Sequence, residues 1–291
     1  MIAAGAIAAI LHRYPPATVA AEMRQGNAPA LIPFALGMVY VSLLINARAD
    51  AWVIGRAARP VSYGQVFRGK AGAMVLLLIG YAAGNGGYGA WIARATGSSA
   101  KVAASVILYI MASELLVVSA LCTAAVWLGA ADVPAALRIA APAIAGVLLL
   151  FKLVGPFGLL GDRAPVLFQP WSKMGHALGL GQLAVRAVQI GLMAVLTWGA
   201  AQAFGLPVPF AIMMSHLPVI LVVGSLPVNV AGFGAVQGAW LLLLPWASSG
   251  AQVVAFSVLW QLCVGIGMLI RGLPFVPRVL REMARPGDER P

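Results

Sequence analysis

Apolar residues run along the chain in long, continuous blocks rather than in alternation. A membrane-spanning helix needs ~20 such residues, and five blocks meet that length: Ala28–Ile54, Ala100–Gly129, Ala136–Leu160, Leu178–Phe204 and Gly250–Leu273. Two further apolar regions carry helix breakers at their centres. Val66–Ala93 contains Gly84-Asn85-Gly86-Gly87-Tyr88-Gly89, and Pro209–Trp246 contains Pro227-Val228-Asn229-Val230-Ala231-Gly232-Phe233-Gly234. At membrane depth such breakers are tolerated only where the freed backbone groups find protein or water. Each region therefore reads either as two helices joined by an extramembrane turn or as a re-entrant hairpin with its tip inside the bilayer. The predicted fold is an all-α polytopic membrane protein. Continuous apolar runs argue against a β-barrel.

Charge distribution chooses between the two hairpin readings. Between Arg186 and Arg271 lie 84 residues without Asp, Glu, Lys or Arg, so the flanks of the second hairpin carry no positive charge. Basic residues collect instead around Arg56, Arg59, Arg68, Lys70, Arg94, Lys101, Arg163, Lys173 and the tail after Leu273. Cytoplasmic loops are rich in Lys and Arg. All these clusters fall on one side only if both interrupted regions are re-entrant and enter from opposite faces. The C-terminus then lies in the cytoplasm. The chain divides into an N-terminal short helix and linker (1–27), a first repeat (28–135), a connecting span with a second repeat (136–273) and a cytoplasmic basic tail (274–291). The apolar run Met1–Leu11 lacks a positive n-region and is read as a retained helix, not a signal peptide.

The two halves resemble each other. Pro60-Val61-Ser62-Tyr63 pairs with Pro207-Val208-Pro209-Phe210, Gly87-Tyr88-Gly89-Ala90 with Gly232-Phe233-Gly234-Ala235, and Ala100-Lys101-Val102-Ala103 with Ala251-Gln252-Val253-Val254, at offsets of 147, 145 and 151. Three spans and one hairpin separate corresponding points, so the second copy is inverted. Paired interrupted segments in inverted halves point to a transporter substrate site near the midplane.

Composition fits this picture and narrows function. Of 291 residues 62% are hydrophobic and 9% charged, with 19 Lys+Arg against 8 Asp+Glu. A soluble enzyme, a disordered chain and a nucleic-acid-binding domain are excluded; the net charge of +11 instead meets anionic headgroups at a membrane surface. Cys122 and Cys263 lie in apolar runs and read as small core residues. His12, His176 and His216 are scattered, and no metal, phosphate-loop or nucleophile motif occurs, so no catalytic residue, metal or cofactor is expected.

Leu226–Gly272 reads LPVNVAGFGAVQGAWLLLLPWASSGAQVVAFSVLWQLCVGIGMLIRG. It resembles the second half of the lysylphosphatidylglycerol synthase transmembrane region, the flippase-like integral membrane family, with its Pro-x-Ser-x-Gly-Gly-x-Gly-x-x-Glu pattern. Arg48-Ala49-Asp50-Ala51-Trp52, Gln65-Val66-Phe67 and the first glycine-rich break extend the likeness from about Leu31 to Leu273. The chain departs from the pattern at several points. Asn229 stands for Ser, Gln237 or Gly238 stands for the Glu, Leu115 rather than Arg follows Glu114, and Gln261 stands where Arg is common. Only 18 residues follow Leu273, too few for the family's aminoacyl transfer. The resemblance implies a protein that moves a phospholipid or polyprenyl-phosphate-type lipid between leaflets of a bacterial cytoplasmic membrane, without its own ATPase. A copy of itself or an envelope-biosynthesis enzyme is the partner class left open. A non-catalytic partner of such an enzyme is the alternative function, with an intramembrane headgroup transferase behind it.

Ionisable residues inside the membrane mark function. Glu114 lies mid-span, and Lys152 and Arg186 are its candidate partners. Arg48 and Asp50, at i and i+2, face apart. Arg48 shares a face with Trp52 and is either an interfacial anchor or a phosphate contact. At the two breaks, Asn85, Gly86, Gly87, Asn229, Gly232, Gly234 and Gln237 are candidate headgroup contacts, because glycine permits close approach and amides at a helix start favour anions. Gln261 completes the expected set. Trp127, Trp198, Trp240, Trp246 and Trp260 read as interfacial or packing residues.

Overall fold

The computed structural model describes residues 10, 12–127, 135–154, 165–225, 233–244 and 248–284. Among these the fold is all-α: α1 (Pro16–Gln25), α2 (Ala28–Ala57), α3 (Tyr63–Leu76), α4 (Tyr81–Thr96), α5 (Ala100–Trp127), α6 (Ala135–Val154), α7 (Pro165–Phe204), α8 (Phe210–Ser225), α9 (Ala235–Leu243), α10 (Gly250–Gly272), a 3₁₀ turn (Leu273–Phe275) and α11 (Val276–Ala284). Four helices are long and apolar enough to cross a bilayer: Ala28–Ala57, Ala100–Ala125, Phe168–Phe204 and Gly250–Glu282, the last continuing into α11. The chain is a polytopic membrane protein.

The fourth expected span beginning at Leu178 starts earlier. α7 runs for 40 residues with a bend at Gly175, whose φ of 61° and ψ of 174° interrupt the helix. The segment before the bend is not a loop. It tucks Trp171 and Met174 beneath the first half of the molecule, where Trp171 meets Tyr109 edge-on at 4.9 Å. Predicted Ala136–Leu160 is represented by α6; its last six positions, 155–160, lie outside the described residues. Of the N-terminal run Met1–Leu11, only Ile10 is described.

α3 and α4 form an antiparallel hairpin, but its break is not where the glycines suggested. Residues 84–89 are helical, inside α4, and the turn is Leu77–Gly80. Three successive i→i+3 bonds tighten the end of α3: Leu77 N–H to Met74 C=O, Leu78 to Val75 and Ile79 to Leu76, at 3.0–3.2 Å. The glycines serve packing instead. A Cβ on Gly84 would collide with Leu77, one on Gly87 with Leu76, and one on Gly69 with the Trp91 ring. Without a hydrophobic force between helices in lipid, small residues that let backbones approach are what hold such pairs together. Ser62 starts α3 with a capping box, its hydroxyl accepting from Gln65 N–H at 3.3 Å.

The tip of this hairpin ends part-way along α10. Leu78 abuts Gly265, whereas Ala71 and Val75 abut Gly272. Seven residues of helix separate the two levels, about 10 Å. α10 itself has 23 residues, about 34 Å, so the tip stops within the thickness that α10 spans. Ile79 at the tip is 71% exposed, an apolar side chain suited to lipid.

Both arms return to one end of the bundle. Gly97 lies beside Arg59, Lys173 Nζ donates to Ala57 C=O at 3.3 Å, and Phe275 packs edge-on against Phe67 at 5.9 Å. Exposed Arg56, Arg59, Arg94, Lys101, Lys173, Arg278 and Arg281 therefore share that end. The tail is not free: α11 packs across the hairpin, with Val279 against Gly72 and Glu282 Oε2 accepting from Trp91 Nε1 at 3.0 Å. At the other end Gly26 meets Phe204, Gly250 meets Tyr14, and Ser249 Oγ donates to Glu22 at 3.0 Å.

The second interrupted segment belongs to this other end. Phe210, at the start of α8, packs edge-on against Trp198 at 5.5 Å, and α9 leads back to Ser249. Of its break, Pro227–Gly232 lies outside the described residues. The described end, Gly234, has φ 119°, a conformation suited to glycine. Two main apolar cores result. One joins α3, α4, α5 and the lower parts of α2 and α7; the other joins α8, α9, α10 and the upper parts of α2 and α7. Free Cys122 is buried and free Cys263 half-buried.

Candidate functional site

The level where the two cores meet is polar. On α2, Ser42, Asn46 and Asp50 repeat every four residues and so share one face. On α7, Gln182, Arg186 and Gln189 share another face. All six are buried. α2 and α7 pack antiparallel: Thr197 Oγ1 lies 3.9 Å from Met38 Sδ, and Arg186 reaches Asp50.

Asp50 is the centre of this belt, fully buried and bonded through both oxygens. Its Oδ1 accepts from Arg186 NH2 at 2.5 Å. Its Oδ2 accepts from Lys70 Nζ at 2.6 Å and from the Tyr88 hydroxyl at 3.2 Å. Lys70 comes from α3 and Tyr88 from α4, so one carboxylate ties both hairpin arms to α2 and α7. Lys70 also lies 5.4 Å from the Tyr88 ring centroid. Arg186 NH1 donates to Gln189 Oε1 at 3.3 Å.

A third cation lies one helical turn along α7. Lys152 of α6 donates to Gln182 Oε1 at 3.1 Å and sits 3.8 Å from the Tyr109 ring centroid. It is within Coulombic reach of Arg186, as half-buried Glu114 is of Lys70 and Tyr81. The bookkeeping is unbalanced. Asp50 alone answers two cations, Lys70 and Arg186, which leaves a surplus of one positive charge. Two donors in the belt, Arg186 Nε and Gln182 Nε2, are buried without an acceptor among the described residues. Unmade bonds at buried donors cost about 1–3 kcal/mol each.

The remaining sequence candidates scatter. Arg48 is exposed and lies over the Trp52 ring, 5.3 Å from its centroid, in the anchoring arrangement. Asn85 does not cap a break; its Nδ2 donates to Tyr81 C=O at 3.0 Å within α4. With Gly86 it lines an apolar groove of about 430 Å³ between α4 and α5 that continues past Ala104, Ile107 and Met111. Gly87 packs on Leu76. Gly234 N–H donates to Gln237 Oε1 at 2.7 Å at the start of α9. Gln237 is buried, its Nε2 without an acceptor, beside a separate apolar pocket of about 330 Å³ formed with Val19, Met23, Phe233 and Val254. Gln261 is half-buried on α10, and Asn229 and Gly232 lie outside the described residues. Trp240 and Trp260 are packing residues around Phe256, whereas Trp127 is exposed.

Among the described residues no group of three His, Cys, Asp or Glu could hold a metal. Sequence reasoning reached Lys152 and Arg186 but missed Asp50, Lys70 and Tyr88. The usable signal was the Ser42–Asn46–Asp50 stripe in an otherwise apolar span. Compared with known proteins, the chain matches no family model, and no curated protein matches it either.

Proposed function

We propose that the protein moves an anionic lipid headgroup between leaflets, holding its phosphate at Lys70, Arg186, Lys152 and Gln182 while the chains stay in the bilayer. The observation that carries this reading is the buried cationic surplus between the two cores. Charges at this depth are expensive unless paired. One surplus positive charge and two donors without acceptors among the described residues are the complement of a phosphodiester, which brings one negative charge and acceptor oxygens.

The apolar groove between α4 and α5 runs beside the same hairpin and suits an acyl or polyprenyl chain. A solute pore is disfavoured by the scarcity of polar residues outside the belt. Approach of the two interrupted segments from opposite ends supports reading the halves as inverted repeats, with each hairpin gating one face. Charge asymmetry supports reading the basic end as cytoplasmic, with the C-terminus inside; a bacterial cytoplasmic membrane is in line with the family resemblance. The substrate class is a phospholipid or polyprenyl-phosphate-type lipid, in line with the resemblance to the flippase-like family.

The test is a reconstituted-liposome assay. Fluorescent phosphatidylglycerol, phosphatidylcholine and a polyprenyl phosphate are followed by quenching from outside. Acceleration of the anionic lipids over protein-free liposomes is expected. Protein-free rates for every lipid would overturn the reading.

A further inference from the structure

We propose that headgroup binding exchanges for Asp50, which takes up one proton as it leaves its cations, so that lipid movement is coupled to protons. The proposal rests on the lipid-transport reading and adds its energy source. Lys70 Nζ and Arg186 NH2, 2.6 Å and 2.5 Å from the carboxylate, are donors an incoming phosphate needs. Asp50 already occupies them. Phosphate and carboxylate are thus competitors for one pair of cations, held on separate elements, α3 and α7.

The displaced state has a defined chemistry. Asp50 has no exposed surface, and a carboxylate without its cations in a dry site costs several kcal/mol. It neutralises by taking one proton from water at the basic end: carboxylate plus proton gives carboxylic acid, and no other bond is made or broken. The charge held in the site is plus one in both states: Lys70, Arg186 and ionised Asp50 before binding, and Lys70, Arg186, protonated Asp50 and the phosphate after it. When the headgroup leaves, the ion pairs re-form and the proton is released.

The same helix face offers an acceptor for the new O–H. Asn46 lies one turn before Asp50 on the same face of α2, buried, and its Oδ1 has no donor among the described residues. The other groups around Asp50 are cationic or neutral. They are Lys70 from α3, Tyr88 from α4, and Arg186 and Gln189 from α7. From α5, Glu114 acts through Lys70. Arg271 of α10 donates to Val39 C=O, three turns away along α2.

The experiment is calorimetric titration of the full-length protein in detergent with dihexanoylphosphatidylglycerol, repeated in buffers of different ionisation heat. A phosphodiester does not titrate near neutral pH, so the buffer dependence counts protons on the protein alone. Binding with uptake of about one proton is expected for the wild type, and binding with none for Asp50→Asn. In parallel, the infrared difference spectrum of the wild type gains a protonated-carboxyl band on lipid addition, a readout that does not depend on the variant folding. Wild-type binding without proton uptake or the band overturns the coupling and leaves the transport reading standing. Uptake that persists in folded Asp50→Asn also overturns it. Absence of binding by the wild type overturns both.

Discussion

The two interrupted segments of this protein are held by different physics. The first, α3 and α4, is latched by charge. Asp50 grips Lys70 and Tyr88 on its arms and Arg186 behind them, and α11 closes its open end through Trp91 and Glu282. The second, α8 and α9, is held by packing: Phe256 touches Phe204, Trp240 and Trp260 with centroids 5.4–6.2 Å apart. Within α8, Ser215 Oγ meets His216 Nδ1 at 2.6 Å. A buried ion network is poor glue compared with well-packed apolar residues. Among the described residues the ion network belongs to the first half, which fits the headgroup site proposed there.

Four substitutions break or sharpen this contrast. Asp50→Ala has the largest effect. It leaves Lys70 and Arg186 buried without their acid and destabilises by about 3–5 kcal/mol, read by denaturant unfolding in mixed micelles, with transport lost. Phe256→Ala empties the aromatic hub of the second half. It lowers stability by about 3 kcal/mol in the same assay, yet the folded fraction keeps its preference for anionic lipid. Gly69→Ala drives a methyl into the Trp91 ring between the hairpin arms and costs about 1–3 kcal/mol. Thermal unfolding should fall with no change in lipid selectivity. Glu282→Ala, which frees Trp91 Nε1, is the mildest at about 1 kcal/mol. It loosens α11, and protease nicking near residue 284 should rise while global unfolding barely moves.

Much of the architecture was legible because bilayer thickness sets a length that apolar windows reveal directly, as for Ala28–Ile54 and Ala100–Gly129. The first turn was misplaced because glycine has two uses. Gly84 and Gly87 looked like breakers, but the structure uses them for close packing against Leu77 and Leu76. The site was half legible. Lys152 and Arg186 stood out as charges in apolar spans. Asp50 was set aside because its neighbour Arg48 faces the other way. Its actual partner, Arg186, is 136 positions distant and no local spacing encodes that contact. Lys70, in turn, looked like one of many basic residues at the membrane surface.

On the proposed function, the Asp50–Lys70–Arg186 network carries the headgroup and is not there for stability. The most direct measurement is the liposome flip rate of fluorescent phosphatidylglycerol for the triple variant Asp50→Leu/Lys70→Met/Arg186→Met. Removing all three charges together leaves no unpaired partner within the triad, so the protein should remain folded with stability close to the wild type. The account predicts a flip rate fallen to that of protein-free liposomes. A folded triple variant that moves phosphatidylglycerol at the wild-type rate would contradict it.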